Sequence, residues 1–439
     1  MDAPDPGALA ALNDLSAEDL PEFAPVKRHR DPPRVDDVAA AARDAVAAVP
    51  ALDDLDEGAE VGITGGSRGI HDMPAVLSAV VDALDARGLE PFVFPAMGSH
   101  GGATAEGQVE TLESVGITEA SVGCEIRASM AVEAVAEDDD GRPVYAAEDA
   151  IEADAVLLAN RVKLHTDFHG RIESGLAKMA VIGVGKQRGA DEAHRAALAT
   201  GFDEVIPERA ALLFEETPIV GGVGVVENAA ERAALVEGVP ADEILEREPG
   251  LLERAEELQP MLPVDDLDLL VLDEIGKNVS GTGMDTNVVG RMLMSGEPEF
   301  ETPDVTRIYV RGLTEETHGN ANGVGLADFA HADVEAGIDR TSTYVNSLTG
   351  GQPERGRLPV ILPSDEHAFR AAFSTVGVRD PADLRIARIR NTLEPDSLVV
   401  SEPVARELEG REGVSVGDLR PLAFEDGALV APGYGVSGL

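Results

Sequence analysis

EVGITGGSRGI, residues 60–70, sets a short apolar run against a glycine-rich turn. Val61 to Thr64 reads as a buried strand, and Gly65 to Gly69 as the turn that ends it. Met73, Val76, Leu77, Val80, Val81 and Leu84 then recur at helical spacing on one face, and Gly88 stops that helix. Phe92-Val93-Phe94 is a second strand, Ala96 to Thr104 a second glycine-rich turn, and another helix follows. Strand and helix alternating in this way predict a parallel sheet.

Outward from that segment the pattern repeats. Ala155 to Ala159 is a third strand that runs into Asn160-Arg161-Val162-Lys163-Leu164-His165, with helical segments at Ser174 to Ile182 and Asp191 to Ala199. Residues 241–262 are charged, helical and bounded by prolines, and read as a connector. Leu269 to Leu272 opens a second α/β unit, continued by Ile308 to Val310, Pro359 to Leu362 and Leu384 to Ile389, with Ser364 as an N-cap for His367 to Phe373. The expectation is an α/β protein of two α/β domains with mainly parallel sheets and the active site in the cleft between them. An N-terminal arm, 1–58, would pack on a cofactor-binding catalytic domain, 59–262, followed by a second α/β domain, 263–439.

Composition limits the function. The 439 residues carry 82 acids against 35 bases, a net charge of −47, and no basic stripe offsets it, which excludes a binder of nucleic acid held by phosphate contacts. Only five of the bases are lysines (Lys27, Lys163, Lys178, Lys186 and Lys277) and the rest are arginines. Acid enrichment, scarce lysine, few aromatics and no Trp resemble proteins of a salt-rich cytoplasm, where hydrated carboxylates keep a chain soluble. A lysine retained on such a surface is a candidate for a specific task. The one cysteine, Cys124, suits a reducing compartment, and neither a leader-like start nor an apolar run of about 18 residues occurs. A cytoplasmic protein without membrane association is expected.

Ligands of open parallel sheets bind outside the carboxyl ends of the strands. Four ends here are polar, glycine-rich or histidine-bearing: Gly65 to Gly69, Gly98 to Gly102, Lys163 to Gly170, and Asp273 to Asp285. The first imitates a dinucleotide loop, but His71 stands where that fingerprint wants glycine and the second strand lacks the ribose-binding acid. What survives is Arg68, a fixed cation suited to a carboxylate or phosphate, with a solvent-facing arginine as the plainer reading. His100 sits among glycines that let a backbone approach a ligand. His165 and His169, four apart, would share one helix face as a metal pair does. Lys178, flanked by small and apolar residues, has the setting of an amine depressed for covalent chemistry, against the plainer alternative of a snorkelling side chain.

Taken together, Arg68, Gly98-Ser99-His100, the stretch from His165 through Ser174-Gly175-Leu176-Ala177-Lys178, His194 and Lys277 resemble the nickel-dependent lactate racemases and their homologues over most of residues 60–290. The resemblance implies a nickel-pincer nucleotide, a doubly thiolated pyridinium mononucleotide. Lys178 would form the thioamide to it and His194 would ligate nickel. His100 and His165 would be the paired bases, His165 being preferred to His169 as the nearer to its strand end, with Arg68 orienting the substrate and Lys277, Ser174 and Gly175 completing the cofactor contacts. It further implies racemisation or epimerisation of a 2-hydroxy acid by reversible hydride transfer, and cofactor-biosynthesis proteins as partners. Imidazole, which titrates near neutrality, suits a base on each side of the carbon, and a chain with one cysteine must import its sulfur ligands. Two departures, Gly65-Gly66-Ser67 where racemases carry an acid a few positions before the arginine, and Ser174-Gly175-Leu176-Ala177 with neither the second glycine nor the arginine of their run before the lysine, put lactate behind other 2-hydroxy acids.

Two rival readings use the same residues. In one, His165, Asp167, His169 and His194 hold zinc in a hydrolase or lyase, with His100 as acid or base. In the other, the chain binds a nucleotide-like ligand without catalysis.

Overall fold

The computed structural model describes residues 4–294, 297–430 and 433–435 and divides into two compact units, Pro32–Gln259 and Met1–Asp31 with Pro260–Leu439. The sheet of the first unit runs, in spatial order, Glu125–Ile126, Glu90–Pro95, Glu60–Gly65, Ala155–Arg161, Ile219–Glu227 and Ala233–Pro240. Its first five strands are parallel and the last is antiparallel. Both faces are covered, which is why its strands read as apolar runs. Ala155, Leu157 and Ala159 point into one core with Val61 and Ile63, and Val156 and Leu158 into the other with Phe92 and Phe94. The helix Met73–Asp85 lays its predicted apolar face on the first of these cores.

The second unit repeats the plan with eight strands, ordered Val360–Leu362, Phe329–His331, Asp304–Val310, Asp266–Leu272, Ile386–Ile389, Ser397–Ser401, Phe23–Arg28 and Val414–Val416. Five are parallel, and the last three join antiparallel. Leu270, Leu272, Ile308 and Val310 fill one side, and Leu269, Val271 and Tyr309 the other. Ser364 caps the helix Asp365–Val376 as expected. The chain is thus an α/β protein of two α/β units with mainly parallel sheets. Among the described residues no helix is long and apolar enough to cross a membrane.

Two boundaries differ from the sequence reading. The expected arm divides at Asp31: Phe23–Arg28 pairs with Ser397–Ser401 and Val414–Val416, so it belongs to the unit of Pro260–Leu439. The helix Val38–Ala47, with Ala42, Ala45 and Val46 buried, belongs to the other unit. Nor is 241–262 a connector. Its helix Ile244–Leu258 buries Leu251, Leu252, Ala255, Leu258 and even Glu248 in the first unit, so the boundary lies after Gln259. Long-range strand pairing and an amphipathic face decided both points, and neither is visible as a local break in composition. The strand Ile219–Glu227 escaped notice because its three glycines dilute the β pattern.

Phe23, Ala24 and Val26 are almost wholly buried on the second unit. Removal of residues 1–31 is therefore expected to lower the unfolding temperature of that unit by on the order of 10 °C and to leave the unfolding of Pro32–Gln259 unchanged, as read by scanning calorimetry.

Candidate functional site

Glu60–Gly65 and Ala155–Arg161 lie side by side, yet the chain leaves the first toward one edge of the sheet and the second toward the other. Such a reversal opens a crevice at the carboxyl ends. Three of the sequence-predicted segments come off this edge: Gly66-Ser67-Arg68, Met97 to His100, and Lys163 to Ser174.

The third is a closed loop rather than a helix. Lys163 and Ser174 pair across its neck through backbone hydrogen bonds of 2.9 and 3.2 Å. Inside it the buried Glu173 accepts from the His165 N–H at 2.5 Å and from the Gly170 N–H at 3.2 Å, and meets His169 Nδ1 at 3.0 Å. Because the loop is wrapped around a carboxylate, the four-residue spacing of His165 and His169 does not place them on one helix face. Among the described residues no three His, Cys, Asp or Glu side chains gather as a metal-binding group, so the zinc arrangement of His165, Asp167, His169 and His194 is not formed.

Beyond the neck, the Gly175 carbonyl accepts from Asn160 Nδ2 at 2.9 Å, and the N–H groups of Leu176 and Ala177 both donate to Glu248 Oε2 at 2.9 Å. A helix N-terminus leaves such donors without internal partners and favours an anion. Burial pushes the Glu248 carboxyl up to about 7, while these two bonds pull it down. A side chain at residue 175 would overlap Glu248 Oε1, so the predicted cofactor contact Gly175 has a structural duty of close approach. Helix Leu176–Lys178 continues through a π-helical turn, Met179–Val184, into Lys186–Thr200. Interruptions of this kind recur at functional sites, and this one separates Lys178 from His194.

Lys178 and His194 nevertheless share one environment. Desolvation pushes the Lys178 amine down to about 8; Asp167 opposes this, and the charges of Lys163 and Arg68 add to it. His194 is lowered by the protein packed around its ring, and Lys178 is among the charges it feels. Arg68 is likewise lowered, first by desolvation and then by Arg161, with Asp167 opposing. A wall of rings lines this environment. His165 lies 4.5 Å from Phe168, Phe168 stacks 4.9 Å from Phe202, Phe202 meets the edge of His194 at 5.2 Å, and Lys178 Nζ stands 5.5 Å from the Phe168 ring centre.

Hydrogen bonds define which nitrogen of each imidazole is basic. His194 Nδ1 lies 2.6 Å from the Ala190 carbonyl and so carries the proton, which leaves the lone pair on Nε2. His100 Nδ1 lies 2.8 Å from the Met97 carbonyl and 3.2 Å from Ser67 Oγ, with the same consequence. His165 is the opposite case: its Nδ1 accepts the Asp167 N–H at 3.0 Å, so Nε2 is the protonated atom. The turn bearing His100 rests on the helical segment that carries Lys178 and His194. Gly98, at φ +60°, is the point of contact, and a side chain there would press on Ile182 and Ala190.

Lys277 lies in the other unit, where its Nζ donates to the Gly281 carbonyl and its N–H to Thr317 Oγ1 at 3.1 Å. Ser174 contributes its backbone to the loop neck. Sequence reasoning passed over Glu173 and Glu248, since each is one acid among 82; a glutamate on an otherwise apolar helix face was the available signal for the second.

In the apoprotein, acylation of Lys178 by an amine-selective reagent is expected to be half-maximal near pH 8, because the amine becomes neutral above that value and not near the ordinary 10.5. Peptide mapping across pH reads this directly. Glu248→Ala, which strands two buried N–H groups, is expected to cost about 1–3 kcal/mol in chemical denaturation.

The sequence matches no family model and no curated protein. Solved structures do match: among them is the lactate racemase apoprotein from Thermoanaerobacterium thermosaccharolyticum, with a TM-score of 0.51 and 11% identity over 87% of this chain and 95% of that one. The likeness is one of fold.

Proposed function

We propose that the protein is a racemase or epimerase of a 2-hydroxy acid that works with a lysine-tethered nickel-pincer nucleotide. The observation that carries this reading is that the Lys178 amine and the His194 imidazole stand along one wall of rings, Phe168 and Phe202, that also holds His165.

The residues suit such a group. A Lys178 amine near 8 is neutral often enough to be acylated, and His194 offers a neutral Nε2 whose orientation is set by Ala190. Burial pushes the thiol of the single cysteine, Cys124, up to about 11, so the chain has no ready thiolate and the soft donors would come with the cofactor. When bound, such a cofactor would supply a hydride acceptor.

The chain's own residues would do the rest. Arg68 would pair with the substrate carboxylate, and His100 Nε2 would take the hydroxyl proton. His165 Nε2–H donates a hydrogen bond to the substrate oxygen. For the mirror-image substrate His165 must itself accept a proton on Nε2, and Asp167 permits the change: its N–H serves the Nδ1 lone pair, and its carboxylate, 3.9 Å away, would receive an Nδ1–H. Arg68, Lys163 and Lys178 gather three cations around Asp167 on a chain of net −47, while Arg161 is held by Glu227, and this local excess favours an anionic substrate at this crevice.

Intact-mass and metal analysis of protein from its native host tests the proposal. An adduct localised to Lys178, with nickel and phosphorus in equal amounts, is expected. His100→Ala should then lower turnover by about 10²–10⁴-fold and keep the adduct. Active protein with an unmodified Lys178 would overturn it.

A further inference from the structure

Lys186 bears two unfavourable conditions at once. Its backbone is left-handed, at φ +52°, although it carries a β-carbon, and its side chain is fully buried. In a chain with five lysines, such a position would more simply hold glycine or asparagine. Conformations of this kind persist where the surroundings require them, and they cluster at functional sites.

The surroundings explain what the amine does. Lys186 Nζ donates to the Pro95 carbonyl at 2.5 Å and reaches Gln108 Oε1 at 3.5 Å, over the face of Phe94. Gln108, also fully buried, passes the connection on: its Nε2 donates to the Gly98 carbonyl at 3.0 Å and to the His100 carbonyl at 3.4 Å. Pro95 ends the strand from which the His100 turn departs, and Lys186 begins the helix that carries His194. Asp149, with one buried carboxylate oxygen lacking a hydrogen-bond partner, is the nearby charge that favours the ammonium. Burial works the other way and pushes the amine down to about 8.

We infer that Lys186, acting through Gln108, is a positioning residue for His100: it ties the start of the helix that carries His194 to the turn that presents the His100 imidazole. The inference rests on His100 as the base of the proposed reaction, but the link itself exists without cofactor or substrate.

Lys186→Asn tests it. Asparagine accepts the left-handed backbone and is too short to reach Pro95, so the variant loses the tie while easing the backbone, and it should fold with a lowered thermal transition. The His100 imidazole, followed by NMR titration in the apoprotein against the His100→Ala spectrum, should shift its midpoint by more than about 0.5 unit. In loaded enzyme kcat should fall about tenfold or more with KM within about twofold, as expected for a displaced base. Gln108→Met, which keeps volume and removes the amide donors, should reproduce both effects and stands in if Lys186→Asn does not fold. A folded variant with the parent's His100 titration would overturn the inference. A shifted titration in a protein that never carries an adduct on Lys178 would instead leave the positioning role intact and count against the proposed reaction.

Discussion

The N–H groups of Leu176 and Ala177 open a helix in a place that water does not reach, and one oxygen of Glu248 serves both. Buried donors must find acceptors, and this requirement sets the position of everything that follows in the chain. Asn160 holds the preceding carbonyl, the Lys163–Ser174 pairing closes the loop behind it, and Lys178 ends the helical turn that the two donors open. The glutamate is supplied by a helix some seventy residues downstream in sequence, whose buried apolar face packs it onto the same unit.

Charge is distributed with equal economy. A net of −47 is spread over the molecule, while Arg68, Lys163 and Lys178 act on one another at the end of a parallel sheet. Desolvation lowers the amine, Asp167 opposes it, and repulsion from Lys163 and Arg68 adds a smaller part. The corresponding strand ends of the second unit are differently furnished. Asp273 there accepts from Arg311 at 2.7 Å, from Arg388 at 2.8 Å and from Tyr434 at 2.5 Å, so its charges are satisfied among themselves.

Much of the architecture was legible because it is local. Val61 to Thr64, Phe92 to Phe94 and Leu269 to Leu272 are apolar on both faces and therefore stand out, and the 3.6-residue stripe of Met73 to Leu84 needs no knowledge of its partner. His100, His165, Lys178 and His194 were visible because histidine and lysine are rare in this chain and carry distinctive chemistry. The loop around Glu173 was not, since periodicity alone cannot tell a helix from a turn folded on a carboxylate.

Element order, the two α/β units and the handful of chemically distinctive side chains follow from the order of residues, because strand and helix periodicity act over a few positions. Which glutamates are buried, why Lys186 tolerates a left-handed backbone, and which nitrogen of each imidazole holds its proton were decided by the fold. Each depends on a hydrogen-bond partner tens of residues away or on the local path of the backbone, and identical side chains acquire different chemistry only when that partner is brought within about 3 Å.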